Sequence, residues 1–223
     1  ETGHVLRLKA GDAIVVLDGA GNEYDVKLTT AGRREAVGQI AARREAMGEP
    51  AVEIALFQSL LSREKFEWVL QKGTEVGVSR FVPVQTERTL PRARQIDAKK
   101  IVRWQRIVTE AAEQSHRGRI PQIEPAIPFV QALSRLSEFG RSLIAATSGQ
   151  AGTLTEALGG GDQAPTSVAV LIGPEGGFSD DETAQACAAG AIPINLGPRI
   201  LRTETAALVV PALVLYELGQ MQR

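Results

Sequence analysis

The sequence predicts an α/β protein in two parts: a small β-rich segment, then a larger domain on a mostly parallel sheet with helices on both faces. Before Met47, short apolar and alternating runs are separated by dense turn signals. Met47-Gly48-Glu49-Pro50 breaks that pattern and reads as a linker. From Ala51 onward, strand-like runs alternate with helical ones, which implies parallel strands joined by helical crossovers. The expected boundaries are therefore 1–47 and 51–223.

In the first part, Ala13 to Leu17 is an apolar strand, Asp18-Gly19-Ala20-Gly21-Asn22 a turn, and Tyr24 to Leu28 an alternating strand. Ala36 to Ala41 completes a small barrel or open sheet. The chain opens at Glu1 without a methionine, so the expected sheet is incomplete at its start. In the second part, strands are expected at Val52 to Phe57, Phe81 to Val84, Ser142 to Thr147, Ser167 to Ile172 and Ile192 to Leu196. Helices are expected at Arg63 to Val76, Asp97 to Ser115 and Leu154 to Leu158. Another starts at Ser179, whose Glu182 three residues on makes a capping box. The last runs from Thr203 to Gln222, bent at Pro211.

Composition bounds the function classes. With 223 residues, 43% hydrophobic and 23% charged, the chain can bury a core of useful size. It has no apolar run of about eighteen residues, so no membrane span is expected. No leader with a basic start and apolar centre is expected. The single Cys187 cannot form an internal disulfide, fits a reducing cytoplasm, and reads as a packing residue on an Ala-rich helix. No metal-ligand spacing occurs, and no metal is expected. The net charge of −1 conceals a basic stretch from Arg80 to Arg119, with ten Lys/Arg against four acids. That stretch reads either as a footprint for a phosphate backbone or as a solvated helix face with counter-charges elsewhere.

The chemistry is expected at two loops beyond strand ends, where open α/β sheets bind ligands. The first, Gly173-Pro174-Glu175-Gly176-Gly177-Phe178-Ser179, follows the strand ending at Ile172 and feeds a helix start. Its glycines permit close approach of a ligand to the main chain, with Gly176 the expected point of approach. It lacks the signatures of phosphate and dinucleotide loops, and Glu175 would repel a polyphosphate, so a neutral or cationic ligand fits better. The second loop runs from Leu196 through Gly197, Ile200, Leu201, Arg202, Thr203, Glu204 and Thr205 to Ala206. Ile200 and Leu201 offer apolar surface to a flat purine, while Arg202, Thr203 and Glu204 bring a cation, a hydroxyl and a carboxylate to one helix start. The plainer alternatives are a tight structural turn for the first loop, and a local ion pair with a cap for the second.

These strings, LIGPEGGFS and LGPRILRTETA, closely resemble the signatures of the ribosomal RNA small subunit methyltransferase E family of the SPOUT superfamily. Gln71 to Val78 resembles that family's QKxTELGV, with Gly73 and Val76 as mild departures. Glu87-Arg88-Thr89, Glu113 to Pro121 and His4-Val5-Leu6-Arg7 resemble further family motifs, in order along nearly the whole chain. The resemblance implies a trefoil-knotted methyltransferase domain, a PUA-like N-terminal β-barrel, and methylation of N3 of a uridine in 16S rRNA of the small ribosomal subunit. It implies a homodimer with S-adenosyl-L-methionine (SAM) held by Thr147, Ile172, Gly173, Glu175, Gly176, Gly177, Leu196, Gly197, Ile200, Leu201, Thr203, Thr205 and Ala206. Glu204 is then a candidate proton acceptor, and Arg202 a stabiliser of charge on the uracil oxygens. Arg7, Arg88, Arg117 and Arg119 become candidate RNA contacts. His116, with no second ligand or partner acid nearby, is expected to have no catalytic role. Two alternatives remain: a SPOUT enzyme with another acceptor, such as a ribose 2′-hydroxyl, and an RNA-binding assembly factor with a vestigial pocket.

Overall fold

The computed structural model describes residues 8–32, 35–146, 151–159 and 164–222. The chain forms two compact units: Glu1–Glu49 with Ala112–Ile120, and Pro50–Ala111 with Pro121–Arg223.

In the first unit, β1 (Ala13–Leu17), β2 (Asn22–Ala31) and β3 (Ala36–Glu45) make an antiparallel meander in that order. The β1–β2 turn is set by Asp18, whose carboxylate accepts from the N–H groups of Ala20 (2.8 Å) and Asn22 (3.0 Å) and from the Asn22 amide (2.7 Å). This is the local bonding that makes Asp a turn residue. The Asn22 backbone N–H, with these other donors, pulls the Asp18 carboxyl down to about 2. Residues 112–120 close onto this sheet: Gly21 N–H donates to Gly118 O (2.8 Å), Ile120 N–H to Gly19 O (3.1 Å), and Ala20 bridges Arg119. β3 is exposed along its whole length, so among the described residues the sheet is open.

The second unit holds a seven-stranded, all-parallel sheet. Its strands are β4 (Glu53–Ser59), β5 (Arg80–Gln85), β6 (Gln122–Ile123), β7 (Ile127–Pro128), β8 (Arg141–Ala145), β9 (Ser167–Ile172) and β10 (Ile192–Ile194). The order is β10-β8-β9-β4-β5-β6, with β7 also on β5. The helices are α1 (Arg63–Val76), α2 (Ala98–Gln114), α3 (Phe129–Ser134), α4 (Leu154–Gly159), α5 (Asp180–Ala188) and α6 (Thr203–Glu217). Strand alternation divides the apolar runs between two buried faces. Ala55, Phe57, Val82, Val84, Ile144, Ala169 and Leu171 pack with Phe129, Ala132 and Ala186. Ile54, Leu56, Phe81, Leu143, Val168 and Val170 point the other way and are equally buried. On that side α6 contacts β4 and β9 and packs against α1. α1 reaches Phe81 at Gly73, where any Cβ would lie 2.8 Å from the ring, so packing accounts for the departure at Gly73. Phe66 of α1 stacks on the buried Trp104 of α2 with ring centroids 4.5 Å apart.

Several expected elements shift. β6, β7 and α3 are additions, short pieces that follow α2. β8 ends at Ala145 and β10 at Ile194, and α6 stops at Glu217 with Pro211 inside it. Cys187, expected to pack, is exposed on α5.

Candidate functional site

The parallel sheet delivers the carboxyl ends of β8, β9 and β10 to one edge, and the loops leaving them enclose a cavity of about 650 Å3. Its lining includes Ile172, Gly173, Glu175, Gly176 and Gly177 from the first predicted loop. From the second come Leu196, Gly197, Ile200, Leu201, Arg202, Thr203, Glu204 and Ala206. Two stretches 30 residues apart in sequence, Gly173 and Thr203, thus form one site. Thr205 is not among the lining residues, and Thr147 and Arg7 lie outside the described residues.

Thr203, the first residue of α6, ties the loops together. Its hydroxyl donates to Gly173 O at 2.5 Å and accepts from Gln58 Nε2 at 3.3 Å. Gln58 in turn donates to Ser59 O (3.0 Å), so a buried polar chain runs from the end of β4 through α6 to the end of β9. Gln58 escaped the sequence reading because it directly follows the apolar run Val52 to Phe57. A buried amide at the end of a central strand was its only signal.

The first loop is fixed from both sides. Gly177 N–H donates to Pro174 O (2.9 Å), closing a turn in which Gly177 adopts φ 69°, a left-handed conformation that favours glycine. A Cβ on Gly173 would lie 3.0 Å from Phe178 N and 3.1 Å from Gly177 C, so the turn folds directly over it. Gly176 meets no such limit: a Cβ there would touch only the Arg88 side chain, at 3.4 Å. The structural need for glycine therefore falls on Gly173 and Gly177, while the fold leaves a Cβ room at Gly176. Downstream, the capping box at Ser179 and Glu182 is present in both directions (3.2 and 3.0 Å). The other oxygen of Glu182 accepts from Glu87 N–H at 2.8 Å. Arg88 adds bonds to Gly176 O (2.9 Å) and Phe178 O (3.2 Å), so its guanidinium clasps the cofactor-type loop.

The second loop is held by Asn195, which donates to Ala151 O (2.6 Å) and accepts from Gly197 N–H (3.2 Å). Ile200, expected to flank a purine, lines the cavity yet is 83% exposed, whereas Leu201 is half-buried. Charge gathers at the pocket wall. Lys65, from the first turn of α1, places Nζ 3.4 Å from Glu175 Oε1 and 3.6 Å from Glu204 Oε2. Glu204 Oε2 is buried and makes no hydrogen bond among the described residues. Lys65 was not foreseen: one cation in a charged helix start carries no pattern, and its partners lie more than a hundred residues away.

One expected RNA contact is corrected. Arg117 is 4% exposed, and its Nη2 lies 2.7 Å from Glu49 Oε2 inside the first unit. A buried arginine spent on a carboxylate is not presented to a phosphate. Arg119 gives its backbone N–H to the same Glu49 (2.9 Å) while the residue remains exposed. His116 has φ 56° just past α2, a helix-ending conformation, and is exposed. The described residues contain no group of three or more His, Cys, Asp or Glu able to hold a metal, and no helix long and apolar enough to cross a membrane.

Two family models assign the chain to the class of RNA methyltransferases with a PUA domain. The family model described as "RNA methyltransferase domain" matches residues 48–215, and that described as "RNA methyltransferase PUA domain" matches residues 3–41. The chain belongs to the ribosomal RNA small subunit methyltransferase E family. The family member from Bacillus subtilis is 30% identical over 218 residues, spanning 96% of this chain and 85% of its own length. That from Synechocystis is 34% identical over 208 residues, spanning 93% and 67%. The crystal structure of the Neisseria gonorrhoeae ribosomal RNA small subunit methyltransferase E bound to S-adenosyl methionine superposes with a TM-score of 0.83. It is 34% identical, covering 96% of this chain and 86% of that one.

Proposed function

We propose that this chain is a SAM-dependent methyltransferase acting on N3 of a uridine in 16S rRNA of the small ribosomal subunit. The observation that carries the reading is the single cavity shared by both signature loops, in a member of this family. The cavity suits the cofactor. Its volume is that of a small-molecule site, and Ile172, Leu196 and Leu201 supply apolar walls. SAM, when bound, supplies an electrophilic methyl group: the N–CH3 bond forms as the S–CH3 bond breaks, and sulfur keeps the electron pair.

The chain's own residues then have two tasks. The loops hold cofactor and base in line, the main contribution available to such a displacement, while the base is turned out of any pairing so that N3 is reachable. Glu204 accepts the N3 proton, and Arg202 compensates charge on the uracil oxygens. Arg7, Arg88 and Arg119 contact the RNA, and Arg88 also keeps the first loop in shape. We further propose that the first unit completes a PUA-like barrel, that the C-terminal half carries a trefoil knot, and that the enzyme acts as a cytoplasmic homodimer.

The test is transfer of labelled methyl from SAM to small subunits taken from cells lacking the protein, followed by nucleoside mass spectrometry. The expected product is 3-methyluridine; a ribose-methylated nucleoside, or no transfer despite SAM binding, refutes the reading.

A further inference from the structure

The cavity contains one charged group to which neither signature loop contributes. Lys65 stands on α1 between a carboxylate of each loop, 3.4 Å from Glu175 Oε1 and 3.6 Å from Glu204 Oε2. The second distance lies beyond hydrogen-bond range, and Glu204 Oε2 has no other donor among the described residues although the atom is buried. A buried carboxylate oxygen left without a donor is costly unless a nearby charge compensates it. The other charged residues lining the cavity are Glu175, Arg199 and Arg202.

We propose that Lys65 is a positioning residue that keeps the Glu204 carboxylate turned into the pocket without occupying the lone pair that must take the substrate's proton. This rests on the methyltransferase reading and extends it. A lysine bonded at 2.7 Å, as Lys72 is to Glu75, would fill that lone pair; an ammonium at 3.6 Å attracts the carboxylate and leaves the oxygen open. When the N3 proton passes to Glu204 Oε2, the carboxylate becomes neutral and Lys65 keeps Glu175 as its counter-ion. No charge in the cluster is then stranded. Two carboxylates around one ammonium are thus an arrangement in which one can be protonated at little electrostatic cost to the lysine.

The experiment uses the full chain with Lys65→Met, Lys65→Gln and Lys65→Arg, assayed on small ribosomal subunits, with SAM affinity measured separately by calorimetry. Lys65 is a third exposed on the first turn of its helix, so all three variants should fold; unfolding midpoints verify this. The expected result for Met and Gln is SAM affinity within about twofold of wild type, unchanged KM for RNA, and kcat reduced about tenfold at neutral pH. Arginine should restore most of the rate. SAM affinity falling in step with kcat would show that Lys65 holds the cofactor instead. A KM for RNA that rises as kcat falls, no rescue by arginine, or an unchanged rate would overturn the proposal. Wild-type protein that binds no SAM would refute the enzyme reading itself, and the lysine's role with it.

Discussion

Replacing Thr203 with valine keeps the shape of the side chain and removes one oxygen, in a residue only 8% exposed. That oxygen makes two bonds, donating to Gly173 O at 2.5 Å and accepting from Gln58 Nε2 at 3.3 Å. Gln58 keeps its bond to Ser59 O, so its amide is not stripped of partners. Gly173 O loses its side-chain donor in a buried place. A buried acceptor left unpaired costs about 1–3 kcal/mol, and the weaker, longer bond adds about 0.5 kcal/mol. The expected loss is therefore about 2 kcal/mol, a large share of the stability of a domain this size. Denaturant unfolding of the full chain should show it as a lower midpoint, with Thr203→Ser close to wild type because the hydroxyl remains. The same valine should weaken SAM binding about tenfold, because the first loop is no longer tied to the start of α6. Thr203→Val with unfolding free energy within about 0.5 kcal/mol of wild type and unaltered SAM affinity would refute the reasoning.

Gly177→Ala should destabilise the first loop by about 1 kcal/mol through its left-handed backbone and weaken SAM binding. Gly176→Ala, whose Cβ finds ordinary contact, should leave both nearly unchanged; calorimetry on the pair decides. Glu67 is held below the usual carboxylate range by Arg103, and Glu124 by Arg135. Folded values below the unfolded ones mean that their stabilisation is present above the unfolded value near 4.5 and is lost as pH falls through the folded values. Melting temperatures between pH 7 and pH 3 should show a decline below pH 4.5 that Arg135→Met makes shallower. Arg117→Met should cost the first unit about 2 kcal/mol through loss of its charge-assisted bond to Glu49, which keeps the Arg119 N–H. Hydrogen exchange in β1 and β2 should report it; protection equal to wild type would contradict the structural role.

Much of the second unit was legible because its signals are local. Ser179 and Glu182 stand three apart, and the runs at Val52 and Ser167 are long enough to read as buried strands. Both pocket loops announced themselves by glycine, proline and charge at strand ends, and the structure gathers them into one cavity. What escaped has physical reasons. A two-residue strand such as β6 has no period, and its pairing is decided by the neighbour β5. Arg117 read as an RNA contact within a basic stretch because its partner Glu49 lies 68 residues away. Which glycine of the first loop carries the positive φ, Gly177, was not legible, because composition alone does not say so. Lys65 and Gln58 matter only through what the fold brings to them.

The register of the sheet also has a bearing on how the protein is made. β4 pairs with β9 along Glu53 to Gln58 and Ser167 to Ile172, so the middle of the sheet joins segments more than a hundred residues apart. During synthesis β4 emerges with its apolar faces uncovered and must wait for most of the remaining chain. The first unit waits as well, since residues 112–120 belong to it. Closing such distant pairs is slow, and exposed strands are open to wrong partners meanwhile. A nascent chain of this protein is thus expected to depend on chaperones through much of its translation, and to acquire its cofactor pocket last.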